Sequence, residues 1–262
     1  MPEMPQDLVL LDGAVEPDRQ TILAGGGTLV AFTTRAPDKT TENEDTVGII
    51  PWGPQAAVLV VADGAGGLPA GKRASLTAVT ALKDSLQVAL EKTTLLRTAV
   101  LNGIEAANTA VRELGNGSAT TLTVVTIEGR LARSYQIGDS EALVIGQRGL
   151  IKFLDQREAL HHADRHLVSN FIGTADMTID VGASVELAPR DTVILASDGL
   201  TDNLHVDEIV DLTRKGPLDT AVDAVLAKVQ QRMTGSNATQ PSKPDDLSLI
   251  LFRKPPKAAS GK

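Results

Sequence analysis

Four aspartate positions stand at the ends of apolar runs. Asp63 follows residues 56–62 (AAVLVVA) and precedes Gly64, and Asp139 follows Ile137-Gly138. Asp198 follows residues 193–197 (VILAS) and precedes Gly199, while Asp245-Asp246 opens residues 247–252 (LSLILF). Short apolar runs bounded by turn residues read as buried strands. Each acid therefore sits at a strand end, and strand ends can converge on one rim where side chains are held more rigidly than on loops. A single Asp-Gly is an ordinary turn dipeptide. Several carboxylates on one rim would be different, because they repel and cannot all ionise without a counter-charge. For an all-oxygen cluster the usual counter-charge is a hard divalent cation, Mg2+ or Mn2+.

Other chemistries fit less well. The chain has no cysteine, which excludes disulfides, thiolate catalysis, iron–sulfur clusters and cysteine zinc sites. Residues 66–72 (GGLPAGK) match a phosphate-binding loop between a strand and a helix. Arg73 follows Lys72, however, so the hydroxyl that would hold Mg2+ is missing. A dinucleotide fingerprint fails at Pro69, where the third glycine is needed. His162 and His166 are four apart and could share a helix face, with His161 beside them. No acid of clear role completes that site, and a solvated helix is the simpler reading.

The elements that must position the acids follow from periodicity. Residues 28–34, 47–50 and 56–62 read as strands, with a polar loop at 35–45 and a turn at Pro51-Trp52-Gly53-Pro54. The first 27 residues carry no clear pattern and end in Gly25-Gly26-Gly27. Leu76, Val79, Leu82, Leu86 and Leu90 recur at helical spacing, as do Leu96, Val100, Ile104, Ala107, Val111 and Leu114. Residues 119–127, 131–137, 142–145 and 150–154 read as strands of an antiparallel meander. A further strand at 193–196, a helix through Leu218, Val222, Val225, Val229 and Met233, and a strand at 247–252 complete the order. Two adjacent helices between blocks of hairpin-linked strands do not fit repeating βαβ units. They predict an α+β fold of four layers, α-β-β-α, with a central antiparallel β-sandwich flanked by helix pairs. Residues 1–253 read as a single domain and 254–262 (KPPKAASGK) as a disordered basic tail.

Composition narrows the class. The 262 residues carry 25 Lys+Arg and 33 Asp+Glu, a net charge of −8, with one Trp and one Tyr. Such a chain is a poor match for a nucleic-acid groove, which needs positive charge and stacking rings. No apolar run approaches the ~20 residues needed to cross a bilayer. The first residues, MPEMPQDLVLLDG, are acidic where a signal peptide carries Lys or Arg. The expectation is a cytoplasmic protein with an aliphatic core and no nucleic-acid or membrane partner.

Six short motifs occur in order: Asn43-Glu44-Asp45, residues 61–67 (VADGAGG), Ser118-Ala119-Thr120-Thr121, Gly138-Asp139-Ser140, residues 196–202 (ASDGLTD) and Asp245-Asp246-Leu247-Ser248. Together they resemble the PPM-type (type 2C) metal-dependent protein serine/threonine phosphatases, in their bacterial form, over nearly the whole chain. The resemblance implies the sandwich fold read above and hydrolysis of phosphoserine and phosphothreonine by a water bridging two divalent cations, Mn2+ or Mg2+. It implies that Asp63 bridges the two ions, with Glu44 and the Gly64 carbonyl on one and Asp198 and Asp245 on the other. Asp139 and Asp202, with Asp198, match the ligands of a third, weaker ion. Asp45 would support metal-bound water, so Asp63, Glu44 and Asp45 form the catalytic set. The partners it implies are a phosphoprotein substrate and a cognate Ser/Thr kinase.

The chain departs from the family pattern at two places. Many members carry an arginine three residues before Asn-Glu-Asp to clamp phosphate, and here that residue is Thr40. Lys39 or Arg35 is the candidate replacement, although Lys lacks the planar fork of Arg. A histidine found after the first Asp-Gly in some relatives is Ala65 here. A catalytically weak pseudophosphatase or metal-dependent sensor of the same fold is the alternative reading.

Overall fold

A computed structural model describes residues 8–65, 70–115, 117–149, 151–154, 170–235 and 240–255. Strands β1 (Val9–Leu11), β4 (Asp45–Pro51), β5 (Ala56–Asp63), β6 (Leu122–Glu128) and β7 (Leu131–Ile137) form one sheet in that order. β10 (Asp180–Val181) and β11 (Val185–Glu186) both pair with β7. The second sheet runs β2 (Asp18–Ala24), β3 (Gly27–Thr34), β13 (Leu247–Arg253), β12 (Thr192–Ala196), β8 (Glu141–Ile145) and β9 (Ile151–Phe153). Neighbouring strands in both sheets are antiparallel.

Side-chain alternation sorts each strand into two faces. Val47 and Ile49, Leu59 and Val61, Val193 and Leu195, and Ile250 and Phe252 meet between the sheets. The opposite face of β5, with Val58, Val60 and Ala62, packs on α1 (Gly71–Glu91) and α2 (Leu96–Arg112). Outward residues of β3, β8, β12 and β13 pack on α3 (Asp198–Thr201), α4 (Val206–Thr213) and α5 (Leu218–Thr234). Three aliphatic layers thus separate helices, sheet, sheet and helices, and the expected four-layer α+β architecture holds.

The expectations differ from the structure at identifiable places. The unpatterned start contains β1 and β2, and Gly25-Gly26 is the two-residue turn of the β2–β3 hairpin, with φ of 61° and 70°. Positive φ at both central residues gives a twist that matches the flanking strands and favours glycine. The predicted meander is instead two hairpins in different sheets: β6–β7 belong to the first and β8–β9 to the second. Gly138-Asp139-Ser140 is the crossing between them, and the regular strand lengths hid the change of sheet. Lys254, expected in the tail, is buried and donates to Gln55 Oε1 at 2.9 Å. Residues 256–262, and the histidines at 161, 162 and 166, lie outside the described residues.

Candidate metal and phosphate site

At one end of the sandwich the inward-facing positions change from aliphatic to polar. Continuing each inner register by two residues leads from Val47 to Asp45, Val61 to Asp63, Leu195 to Ser197, Ile250 to Ser248 and Ala31 to Thr33. Asp45 and Asp63 are directly paired across β4 and β5. Asp45 has no exposed surface, and its Oδ2 accepts from Ser197 Oγ at 2.9 Å. Ser197 Oγ in turn accepts from the Ser248 amide at 3.0 Å, and Ser248 Oγ shares a hydrogen bond with Thr33 Oγ1 at 2.7 Å. Asn43 Nδ2 donates to Thr33 Oγ1 at 2.7 Å, and Asn43 Oδ1 accepts from the Asp45 amide at 2.9 Å. This polar chain closes one end of the gap between the sheets.

The backbone of Asp63 is clamped by the two threonines just before β6. Its amide donates to Thr121 Oγ1 at 3.0 Å, and its carbonyl accepts from the Thr121 amide at 2.8 Å and Thr120 Oγ1 at 2.7 Å. These bonds explain the Thr120-Thr121 pair, whose role was not legible beforehand. Gly64 and the start of α1 then meet backbone to backbone: a Cβ on Gly64 would lie 2.4 Å from the Gly71 carbonyl carbon. A Cβ on Gly71 would lie 2.5 Å from Glu44 Oε1. Glu44 thus stands beside the Gly64–Gly71 contact, one residue before Asp45.

Electrostatics bind the acids into one cluster. Asp63 is held well above the ordinary carboxylate range by desolvation, then by the charges of Asp45, Asp198, Asp245 and Asp139. Asp45 is pushed up to about 8 by burial and by Asp246, with Ser248 and Ser197 opposing and Asp198 adding to the rise. Asp198 is raised by burial and by Asp245, against the pull of Lys243. The expected acids from β4, β5, the β7–β8 crossing, the β12–α3 turn and the approach to β13 are therefore brought together.

Two lysines share this rim. Lys243 Nζ lies 3.0 Å from Asp198 Oδ2, 2.8 Å from Asp202 Oδ2 and 3.0 Å from Asp245 Oδ2. Lys39 Nζ lies 3.0 Å from Glu44 Oε2 and 2.5 Å from Asp246 Oδ2. Asp246 is buried and also accepts from the Ala36 and Glu44 amides at 2.8 and 2.7 Å, which pins the loop entering β4. Nothing in the sequence pattern marked Lys243 or this bracing role of Asp246. Of the two basic candidates for phosphate, Lys39 is committed to carboxylates. Arg35 makes no side-chain hydrogen bond among the described residues and lines a cleft of ≈ 570 Å³ together with Asp245. Lys72 is spent on carbonyls, donating to Asp12 O at 2.7 Å and Asp45 O at 2.9 Å. With the sheet antiparallel, this disposes of the nucleotide-loop reading.

The donor set fits divalent cations. Asp45 Oδ1 and Asp198 Oδ1 are buried oxygens without a hydrogen-bond partner, and such groups are costly unless something pairs with them. Several carboxylates crowd Asp63, and hard oxygens are what Mg2+ and Mn2+ take. Among the described residues no three acidic or histidine side chains form a finished cation cage. Three acids instead surround the ammonium of Lys243, so the rim already attracts positive charge.

Known proteins resemble this chain in sequence and in fold. The family model for protein phosphatase 2C matches residues 35–240. Protein phosphatase PhpP of Streptococcus pneumoniae serotype 2 is 28% identical over 204 residues, spanning 70% of this chain and 83% of that protein. The serine/threonine phosphatase of S. agalactiae superposes with a TM-score of 0.68 at 23% identity, covering 86% of this chain and 98% of the other. The catalytic domain of the phosphatase PstP, solved with two manganese ions, superposes with a TM-score of 0.65 at 18% identity, covering 94% and 99%.

Proposed function

Because the chain belongs to the protein phosphatase 2C family, we propose that it hydrolyses phosphoserine and phosphothreonine esters on proteins, using divalent cations held by its strand-end carboxylates. The observation that carries this reading is geometric: Asp45 stands directly opposite Asp63 at the rim, and Asp45 Oδ1 and Asp198 Oδ1 are buried there without a hydrogen-bond partner. Bound at such a rim, a pair of cations supplies a water of lowered pKa and neutralises the phosphate dianion.

This chain's own residues do the rest. Asp63, its backbone fixed by Thr120 and Thr121, would be the central residue holding the ions. Glu44, the Gly64 carbonyl, Asp198 and Asp245 would hold the ions with it, and Asp139 and Asp202 would lie further out. Asp45, oriented by Ser197 and Ser248, accepts a hydrogen bond from the attacking water. Arg35 grips the phosphate or the adjoining peptide, taking the place of an arginine at position 40. The relatives bind manganese in one solved case, and Mn2+ or Mg2+ suits the oxygen donors here. The substrate is a phosphoprotein made by a serine/threonine kinase. Among the described residues no helix is long and apolar enough to cross a membrane.

The direct test is hydrolysis of an aryl phosphate and of a phosphothreonine peptide with Mn2+, with Mg2+ and with chelator, beside Asp63→Asn. Turnover should require metal and fall by at least ~100-fold in the variant. Metal-independent turnover, or full activity in Asp63→Asn, would sink the assignment.

A further inference from the structure

Lys243 is placed too firmly for a chance surface ion pair. Its amide donates to Asn203 Oδ1 at 2.9 Å, and its carbonyl accepts from Asn203 Nδ2 at 2.8 Å. Asn203 has no exposed surface and also donates to the Gly199 carbonyl at 3.0 Å. Both backbone groups of the lysine are thus locked to the turn that carries Asp198 and Asp202. The half-exposed side chain then sets one ammonium within 3.0 Å of an oxygen on each of Asp198, Asp202 and Asp245. Asp198 divides its carboxylate: Oδ2 faces Lys243, while Oδ1 is buried without a partner.

We propose that Lys243 is a tethered counter-cation that occupies the outer, Asp198–Asp202 subsite of the acid cluster and so sets how many divalent ions this phosphatase binds. The inference deepens the metal-dependent reading above and rests on it. Where three carboxylate groups already neutralise a fixed ammonium, a divalent ion gains only by displacing it, and like charges oppose their joint presence. The inner oxygens, those of Asp63 with Asp198 Oδ1, are left for the catalytic ions, and Asp45 Oδ1 for the water. The expectation of a third, weaker ion at Asp139, Asp198 and Asp202 is thereby replaced by a lysine supplied in the chain.

The test is Mn2+ binding by calorimetry and electron paramagnetic resonance on the whole protein, wild type beside Lys243→Met and Lys243→Arg. The Met variant should gain a weaker Mn2+ site that the wild type and the Arg variant lack, or bind its last ion roughly tenfold tighter. Its metal-free melting temperature should fall by roughly 2–4 °C and recover in Mn2+. A second measurement needs no variant: the Lys243 ammonium nitrogen resonance should hold its shift as Mg2+ saturates the wild type. Equal, non-zero ion numbers and affinities in all three proteins, or an ammonium resonance displaced by Mg2+, would overturn this inference alone. Absence of Mn2+ binding in every form would overturn the metal reading beneath it as well.

Discussion

Asp45 joins a carboxyl group with no exposed surface to a neighbour, Asp63, that is itself pressed by four charges. Its affinity for a proton rises from 3.8 to about 8. Burial is the main cause and Asp246 the next, while the serine hydroxyls favour the ionised form. The unfolded chain releases this proton near pH 4 and the folded chain keeps it to near pH 8. Stability from this group is therefore complete at low pH and is lost as pH rises through about 8. Metal-free protein should denature more readily at pH 8 than at pH 5.5, as urea titrations would read. Asp45→Asn should flatten that dependence. At the rim, Arg35→Ala should raise KM roughly tenfold with little change in kcat, as steady-state kinetics on a phosphopeptide would show. An equal fall in kcat would mean that Arg35 acts in the transition state instead.

At the scale of elements, the long helices and apolar strands were readable because their periodicity extends over many residues, as in Leu76–Leu90 or Ala56–Ala62. β1, β2, β10 and β11 were not, since two are only two residues long and β2 is largely solvent-facing and mixed. The acids were legible because each follows or opens an apolar run. Their partners were not: Ser197, Ser248 and Thr33 look like ordinary polar residues until two sheets are laid face to face. Lys243 sits in a polar loop, where no pattern distinguishes it. The change of sheet at Gly138 was hidden for a further reason, since a hairpin turn and a crossing both need a glycine. Its φ is 103°, and a Cβ there would lie 2.5 Å from Thr121 Cβ. Gly138→Ala should cost about 2–4 kcal/mol of stability by chemical denaturation, combining backbone strain with a clash against the residue that holds Asp63.

Across the whole molecule the two sheets share an aliphatic interior but are joined at the functional end by hydrogen bonds through Ser197. Removing that hydroxyl in Ser197→Ala strands the buried Ser248 amide and one oxygen of Asp45. The expected loss is about 2–4 kcal/mol, larger than for an exposed tie such as Arg19 to Asp219 and Asp223, which contributes about 0–1 kcal/mol. Paired urea titrations of Ser197→Ala and Arg19→Ala would rank the two. β13 lies between β3 and β12, in the middle of its sheet, although it follows both of them in the chain. β3 and β12 therefore stay unjoined until β13 is made, and that strand brings Asp245 and Asp246 with it. A nascent or prematurely ended chain lacks the keystone of the second sheet together with part of the acid rim. The second sheet and the acid rim are thus completed by one and the same strand.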